Sequence, residues 1–203
     1  MPKKTILFDM DGVIVDQIPL WLEIYNSEYK DNLTIDEFAG SWNLHKIVKP
    51  EVGEKVYDIL NRPDFYEKAK PIDGAIDGIK DILSSGKFNV FIVSAFMGNG
   101  NQAKGKCDWI NRYLTDIDRD NIFLCHEKQL IIGDILVDDS EKNLIKWCNV
   151  MDAILPNLFS NKPEALMMTA PHNKDLDLNQ PLYQGIFRIS NWKELLEYIF
   201  NID

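Results

Sequence analysis

The order of apolar runs predicts an α/β fold: a Rossmann-like parallel sheet with helices on both faces, plus a small helical cap inserted after the first strand. Three observations lead there. Short apolar runs alternate with amphipathic stretches of helical period, the pattern of βαβ units. One long segment, residues 17–70, breaks that alternation directly after the first run. Acidic residues end two of the runs, the place where ligands gather on a parallel sheet.

The runs expected as strands are residues 5–8 (TILF), 88–93 (FNVFIV), 121–124 (NIFL), 135–137 (ILV) and 153–155 (AIL). Between them, Ile76, Ile79, Ile82 and Leu83 repeat at helical spacing, as do Trp109, Ile110, Tyr113 and Leu114, and later Leu144, Ile145 and Cys148. A closing helix is expected over 192–200, capped by Ser190 or Asn191. Within 17–70, Ile18, Trp21, Leu22, Tyr25 and Tyr29 share one helical face, and residues 52–60 suggest a second helix. This predicts a core of residues 1–16 and 71–203 and a helical cap of residues 17–70. Residues 163–185, with Pro171, Asn173, Asn179 and Pro181, read as a long surface connection.

Lys+Arg 22 against Asp+Glu 32 leaves a net charge of −10. That excludes the broad basic face with which a protein holds polymeric nucleic acid, but not a small anionic ligand at one local positive site. Cys107, Cys125 and Cys148 form no metal-spaced pair, and an odd number is a poor disulfide framework. The start, MPKKTILFDMDG, is too short in apolar residues for a signal peptide, and no run approaches the ~18 residues of a membrane span. A soluble cytoplasmic protein is expected, and a homodimer is one assembly left open.

The chemistry is carried by strand ends. The first run leads into Asp9, Asp11 and Gly12. A calcium loop starting at Asp9 would need Gly and Glu where Ile14 and Leu20 stand, and a helix before it. A plain D-x-D-G turn remains open for this tetrapeptide alone. The run 135–137 ends in Asp138–Asp139, which could equally cap a helix. Two acidic strand ends on one sheet bring carboxylates together, and each like-charged pair at ~4 Å costs about 4 kcal/mol at an effective dielectric near ~20. A cation must offset that cost. Oxygen ligands with few neighbouring His or Cys point to Mg²⁺. Asp134 precedes its run and is expected at the far end of the strand. Ser94 ends 88–93, so its hydroxyl and the amides of Ala95 and Phe96 could hold a phosphate, and Lys128 could supply positive charge.

The four features, in this order along alternating strands, resemble the haloacid dehalogenase superfamily of phosphotransferases. Its motifs are D-x-D-x-[VT], a strand-end Ser or Thr, a Lys and a strand-end acidic pair, matched by Asp9–Met10–Asp11–Gly12–Val13, Ser94, Lys128 and Asp138–Asp139. The resemblance extends to the 5′(3′)-deoxyribonucleotidases over FDMDGVIVD, Gly40–Ser41–Trp42, FYEKAKPIDGA, NVFIVSA, EKQLIIGDILVDDS and the pair His172–Asn173. It departs at Ser94–Ala95, where relatives often carry Thr-Ser, at Ser140, where an Arg often stands, and at Ser41–Trp42–Asn43 in the cap.

The resemblance implies a Mg²⁺-dependent phosphatase of nucleoside monophosphates. Asp9 would be the nucleophile that becomes an aspartyl-phosphate. Asp11 would move the proton of the leaving oxygen and then of water. Mg²⁺ would be held by the Asp9 carboxylate, the Asp11 main-chain carbonyl and Asp138. Lys128 and Ser94 would meet the phosphoryl group, and Asp139 would orient Lys128 or metal-bound water. Trp42, Phe65 and Tyr66 are candidates to stack a nucleobase, or else pack cap against core. His172 has no assigned chemistry. The alternatives are a sugar-phosphate phosphatase or phosphomutase of the same superfamily, and a nucleotide-binding regulator with vestigial catalysis.

Overall fold

The structure, a computed structural model, describes residues 3–40, 42–97, 100–154 and 163–202. In chain order the elements are β1 (Lys4–Phe8), β2 (Val15–Asp16), α1 (Gln17–Tyr29), α2 (Leu44–Ile47), α3 (Phe65–Lys68), β3 (Lys70–Pro71), α4 (Ala75–Ser84), β4 (Phe88–Ser94), α5 (Asn101–Tyr113), β5 (Ile122–Leu124), β6 (Ile135–Asp138), α6 (Glu141–Ile154), β7 (Glu164–Met168), β8 (Ile186–Ile189) and α7 (Trp192–Asn201). Short 3₁₀ turns lie at Ile35–Phe38, Gly53–Ile59, Arg119–Asn121, Lys128–Leu130 and Pro181–Tyr183.

Six strands form one sheet in the order β5-β4-β1-β6-β7-β8, every neighbouring pair parallel. The chain fills one side of β1 with β4 and β5, then crosses to β6, β7 and β8 on the other. The reversal opens a crevice at the carboxyl ends of β1, β4 and β6, the usual ligand position on such a sheet.

Alternation along each strand sends side chains to two cores. Ile6, Phe8, Val90, Ile92, Ile135, Val137, Leu166 and Met168 face α4, α5 and α7, where Ile79, Ile82, Trp109, Ile110, Trp192 and Leu195 complete the layer. Leu7, Val93, Leu136, Ala165 and Met167 face the other way, onto Leu144, Trp147 and Met151 of α6. With both faces covered, Ile6–Phe8 of β1 and Ile135–Val137 of β6 are uninterrupted apolar runs. The closing helix is capped at Asn191, whose side chain accepts the Glu194 N–H at 3.0 Å. Asp134 lies at the opposite end of the sheet, its carboxylate accepting the Thr5 N–H at 2.6 Å.

Residues 17–70 leave and rejoin the sheet through an antiparallel pair, Val15 opposite Pro71 and Asp16 opposite Lys70. Between them α1 buries Ile18, Trp21 and Tyr25, with the Trp21 and Tyr25 rings stacked 5.2 Å apart. The buried side chains of this segment join the sheet face that carries Ile6 and Phe8 in one continuous apolar cluster. Among the described residues no helix is long and apolar enough to cross a membrane.

Three expectations are corrected. The segment expected as a strand at 153–155 continues α6 through Ile154, because Leu144, Trp147 and Met151 extend a helical stripe toward it; Leu155 lies outside the described residues. The connection expected over 163–185 begins with β7, whose sequence EALMM is rich in helix formers. It is a strand because its side chains are buried on both sheet faces, where tertiary packing outweighs propensity. β8 was not anticipated, and the helix expected over 52–60 is a 3₁₀ turn. Ser41 also lies outside the described residues.

Candidate active site

Parallel pairing sets the first half of the site. The Asp9 N–H donates to Val137 O at 2.9 Å, so Asp9 leaves β1 beside the end of β6, where Asp138 and Asp139 follow. Asp9, Asp138 and Asp139 are all buried, and one carboxylate oxygen of each lies within 4.8 Å of the others. Lys128 enters from its 3₁₀ turn, its Nζ 2.8 Å from Asp9 Oδ1 and 2.6 Å from Asp138 Oδ2. Asp138 also accepts the Ser140 N–H at 2.8 Å and the Asn143 side-chain amide at 3.1 Å, anchoring it to the start of α6. The Met10 N–H donates to Asp9 Oδ1 at 2.6 Å.

The charges in this half do not balance. Burial pushes the Asp138 carboxyl up to about 6 despite the pull of Lys128, with the charge of Asp9 adding to the rise. Burial, and then the charges of Asp138 and Asp9, hold Asp139 well above the usual carboxylate range. Burial alone would lower Lys128, but Asp138 and Asp9 outweigh it and keep the ammonium charged. Three carboxylates facing one lysine form an oxygen-only donor set with surplus negative charge, which fits a hard divalent cation. Gly12 makes the approach possible. Its φ is +74°, and a Cβ there would lie 1.9 Å from Asp139 Oδ2.

Asp11 is two residues from Asp9 and turns elsewhere. Both its carboxylate oxygens accept from the Tyr66 hydroxyl at 3.0 Å, and Lys106 Nζ lies 2.7 Å from Oδ2. The same ammonium donates to Ser94 Oγ at 2.8 Å and to the Ala95 carbonyl. Gln102 donates to the Tyr66 oxygen at 3.3 Å and accepts the Met97 N–H. Burial, and then the Asp11 charge, raise the Tyr66 phenol well above its usual range, so it remains a proton donor.

A cleft of about 340 Å³ spans both halves, lined by Asp9, Asp11, Ser94, Ala95, Lys106, Lys128 and Asp139, with Trp42, Met97, His126 and His172 on its walls. Of the side chains expected to stack a base, Trp42 lines this cleft, its ring 5.4 Å from that of His172. Phe65 and Tyr66 offer no face to it: Phe65 is 0% exposed, Tyr66 1%, and their rings meet edge-on inside the core. Phe65 packs in the apolar core, the Tyr66 ring lies against Gly105 of α5, and only the Tyr66 hydroxyl reaches toward the chemistry. Asp139, expected to orient Lys128 or metal-bound water, stands with Asp9 and Asp138 as a third carboxylate.

Sequence reasoning missed Lys106, Gln102 and Asn143, and left His172–Asn173 without a role. A signal for the first two was present. Gln102, Lys106, Trp109, Ile110 and Tyr113 share one helical face, so two polar side chains lie on an otherwise apolar stripe. His172 and Asn173 hold the acidic turn from behind: His172 Nε2 lies 3.1 Å, and the Asn173 amide 2.8 Å, from the Asp139 carbonyl. A carbonyl only accepts, so Nε2 carries the His172 proton, and burial keeps this ring below the usual histidine range. Asn173 is itself fixed by the Met168 carbonyl, the Ala170 N–H and Arg188.

Comparison with known proteins finds relatives along nearly the whole chain. The family described as 5′ nucleotidase, deoxy (pyrimidine), cytosolic type C protein matches residues 3–202. A 5′(3′)-deoxyribonucleotidase of Clostridium acetobutylicum is 34% identical over 174 residues, 86% of either chain. Another, from Bacillus subtilis, is 25% identical over 193 residues, covering 95% of this chain and 96% of its own. Among solved structures, a haloacid dehalogenase-like protein of Agrobacterium tumefaciens superposes with a TM-score of 0.57 at 16% identity, covering 98% of each chain. The D,D-heptose 1,7-bisphosphate phosphatase of B. bronchiseptica, solved with magnesium and phosphate, gives 0.57 at 12% identity over 97% of this chain and 98% of its own. These last two establish a shared fold.

Proposed function

The chain belongs to the 5′ nucleotidase, deoxy (pyrimidine), cytosolic type C family, and on that premise we propose that it is a Mg²⁺-dependent 5′(3′)-deoxyribonucleotidase. As a phosphoric monoester hydrolase of this family, it takes small nucleoside monophosphates in the cytoplasm and passes their phosphoryl group through an aspartyl-phosphate to water. The observation that carries this reading is the meeting of Asp9, Asp11, Ser94, Lys128 and Asp138 at the carboxyl ends of three adjacent strands.

Asp9 is the nucleophile. Its Oδ1 is engaged by the Met10 N–H and Lys128, so Oδ2 attacks phosphorus. Asp11 protonates the departing ester oxygen and then takes a proton from the water that cleaves the acyl-phosphate. Ser94 donates its hydroxyl to a phosphoryl oxygen, joined by the amides that follow it. Among the described residues Lys128 meets two acceptors, which leaves one of its three ammonium protons for the phosphoryl group. Asp9, Asp138 and Asp139, with the Asp11 main-chain carbonyl, would hold Mg²⁺, which when bound would neutralise phosphoryl charge. Residues 17–70 act as the cap over a core of 1–16 and 71–203, and Trp42 supplies an aromatic face for the base.

Phosphate release from dTMP, dUMP, dGMP, UMP and a set of sugar phosphates, with and without Mg²⁺, tests this reading. Mg²⁺-dependent turnover highest on deoxyribonucleotides is expected. Preference for a sugar phosphate, or dTMP binding without turnover, would overturn it.

A further inference from the structure

Resting on the phosphatase reading above, we infer that Lys106 and Tyr66 are a positioning pair that aims the Asp11 carboxyl at the leaving oxygen. Lys106 is 1% exposed, on a helix whose other long polar side chains are mostly solvated. An ammonium has three protons, and here each has an acceptor: Asp11 Oδ2, Ser94 Oγ and the Ala95 carbonyl. None is left to bind phosphate. Lys106 therefore differs from Lys128 in kind: it organises other groups rather than touching substrate.

Its contacts have two consequences. Because Nζ donates to Ser94 Oγ, the serine's own proton is turned away from Lys106 and is available to a phosphoryl oxygen. Because Nζ and the Tyr66 hydroxyl approach Asp11 together, the carboxyl is gripped from two directions, by α5 of the core and by α3 of the 17–70 insertion. Gln102 fixes the Tyr66 oxygen in turn. Gly105 permits the arrangement, since a Cβ there would come within 3.2 Å of the Tyr66 side chain. A carboxyl on a two-residue spacing from the nucleophile needs such a grip, because small misplacements of an acid cost rate steeply.

In the first chemical step a bond forms between an Asp9 oxygen and phosphorus. The phosphorus–oxygen bond to the leaving group breaks, its electron pair stays on that oxygen, and a proton carried on Asp11 Oδ1, the oxygen that Lys106 does not hold, neutralises it. The water that later cleaves the acyl-phosphate returns a proton to the Asp11 carboxylate. A nucleoside alkoxide needs this proton; p-nitrophenolate leaves without it. The pair therefore matters for one substrate and far less for the other.

The test compares kcat/KM, which covers steps up to departure of the leaving group, for dTMP and p-nitrophenyl phosphate in the wild type, Tyr66→Phe and Lys106→Met. Tyr66→Phe should lower kcat/KM about tenfold or more on dTMP and less than about threefold on p-nitrophenyl phosphate, within the range an acid contributes. Lys106→Met should lower it about 100-fold on dTMP with a smaller loss on the activated ester. The ratio of the two values within one preparation does not depend on how much of a variant folds. If Tyr66→Phe lowers both substrates equally, or neither, the positioning pair is overturned while the phosphatase reading stands. If the wild type itself releases no Mg²⁺-dependent phosphate from either ester, both are overturned together.

Discussion

Asp9 and Asp11 are separated by one residue yet sit in opposite electrostatic settings. Asp9 faces Asp138 and Asp139 with Lys128 as the near cation, so its side of the cleft carries surplus negative charge. Asp11 faces a lysine and a phenol that match it without outside help. The contrast shows two ways of keeping a carboxylate in a half-buried cleft. One side carries an excess of carboxylates that a bound cation would offset, and the other is matched by the chain's own donors. Substitutions and metal should therefore act differently on the two sides.

The sharpest break in this contrast is Asp9→Asn, which removes the proposed nucleophile. It should lower turnover by about 10⁴-fold or more and abolish trapping of a phosphoenzyme. A trapped acyl-phosphate in that variant would place the nucleophile elsewhere. Gly12→Ala strikes the same side without touching a carboxylate. Its methyl would drive into Asp139 Oδ2, so Mg²⁺ affinity by calorimetry should fall about tenfold to 100-fold while the Asp11 side is spared. An unchanged affinity would show that Asp139 is no ligand.

Asn173→Ala acts one step further out. It removes the donor to the Asp139 carbonyl and leaves the Ala170 N–H without its acceptor, so the fold should lose about 1–3 kcal/mol in urea melts. Metal affinity should weaken with it, and unchanged binding would confine Asn173 to a structural part. The pH dependence sharpens the comparison further. Without metal, burial raises Asp138 to about 6, so the folded state holds a proton that the unfolded chain has lost by about pH 4. This group's contribution to metal-free stability is thus present at low pH and lost as pH rises through 6. Mg²⁺ must displace the same proton, so its affinity should rise with pH across 6, and a flat profile would contradict the buried-acid picture. The smallest effect is expected at Lys104, two residues before Lys106 but exposed and paired with Asp108 at 2.5 Å. Lys104→Ala should leave the ratio of dTMP to p-nitrophenyl phosphate turnover where it is in the wild type.

Much of this can be read before folding. Strand-end acids are conspicuous because buried parallel strands tolerate almost no polar residue until they end, so Asp9, Ser94 and Asp138 stand out against TILF, FNVFIV and ILV. Asn191 is recognisable as a cap for the same local reason. EALMM is the counter-case: its composition favours helix, and only burial between β6 and β8 makes it a strand. Phe65 and Tyr66 mislead in another way. Aromatic side chains in an insertion suit a base pocket and an apolar core equally well, and only packing chooses the core.

Local pattern along the chain thus settles much of the alternation of strand and helix and the acids at strand ends, and it raises the expectation of a balancing cation. Each depends on residues within a few positions of one another or on charge alone. The grip of Lys106 and Tyr66 on Asp11, the wedge of Gly12 against Asp139 and the hold of Asn173 on the acidic turn join residues far apart in sequence. Such contacts carry no period or spacing of their own, and they come into being only when the sheet order brings β1, β4 and β6 side by side.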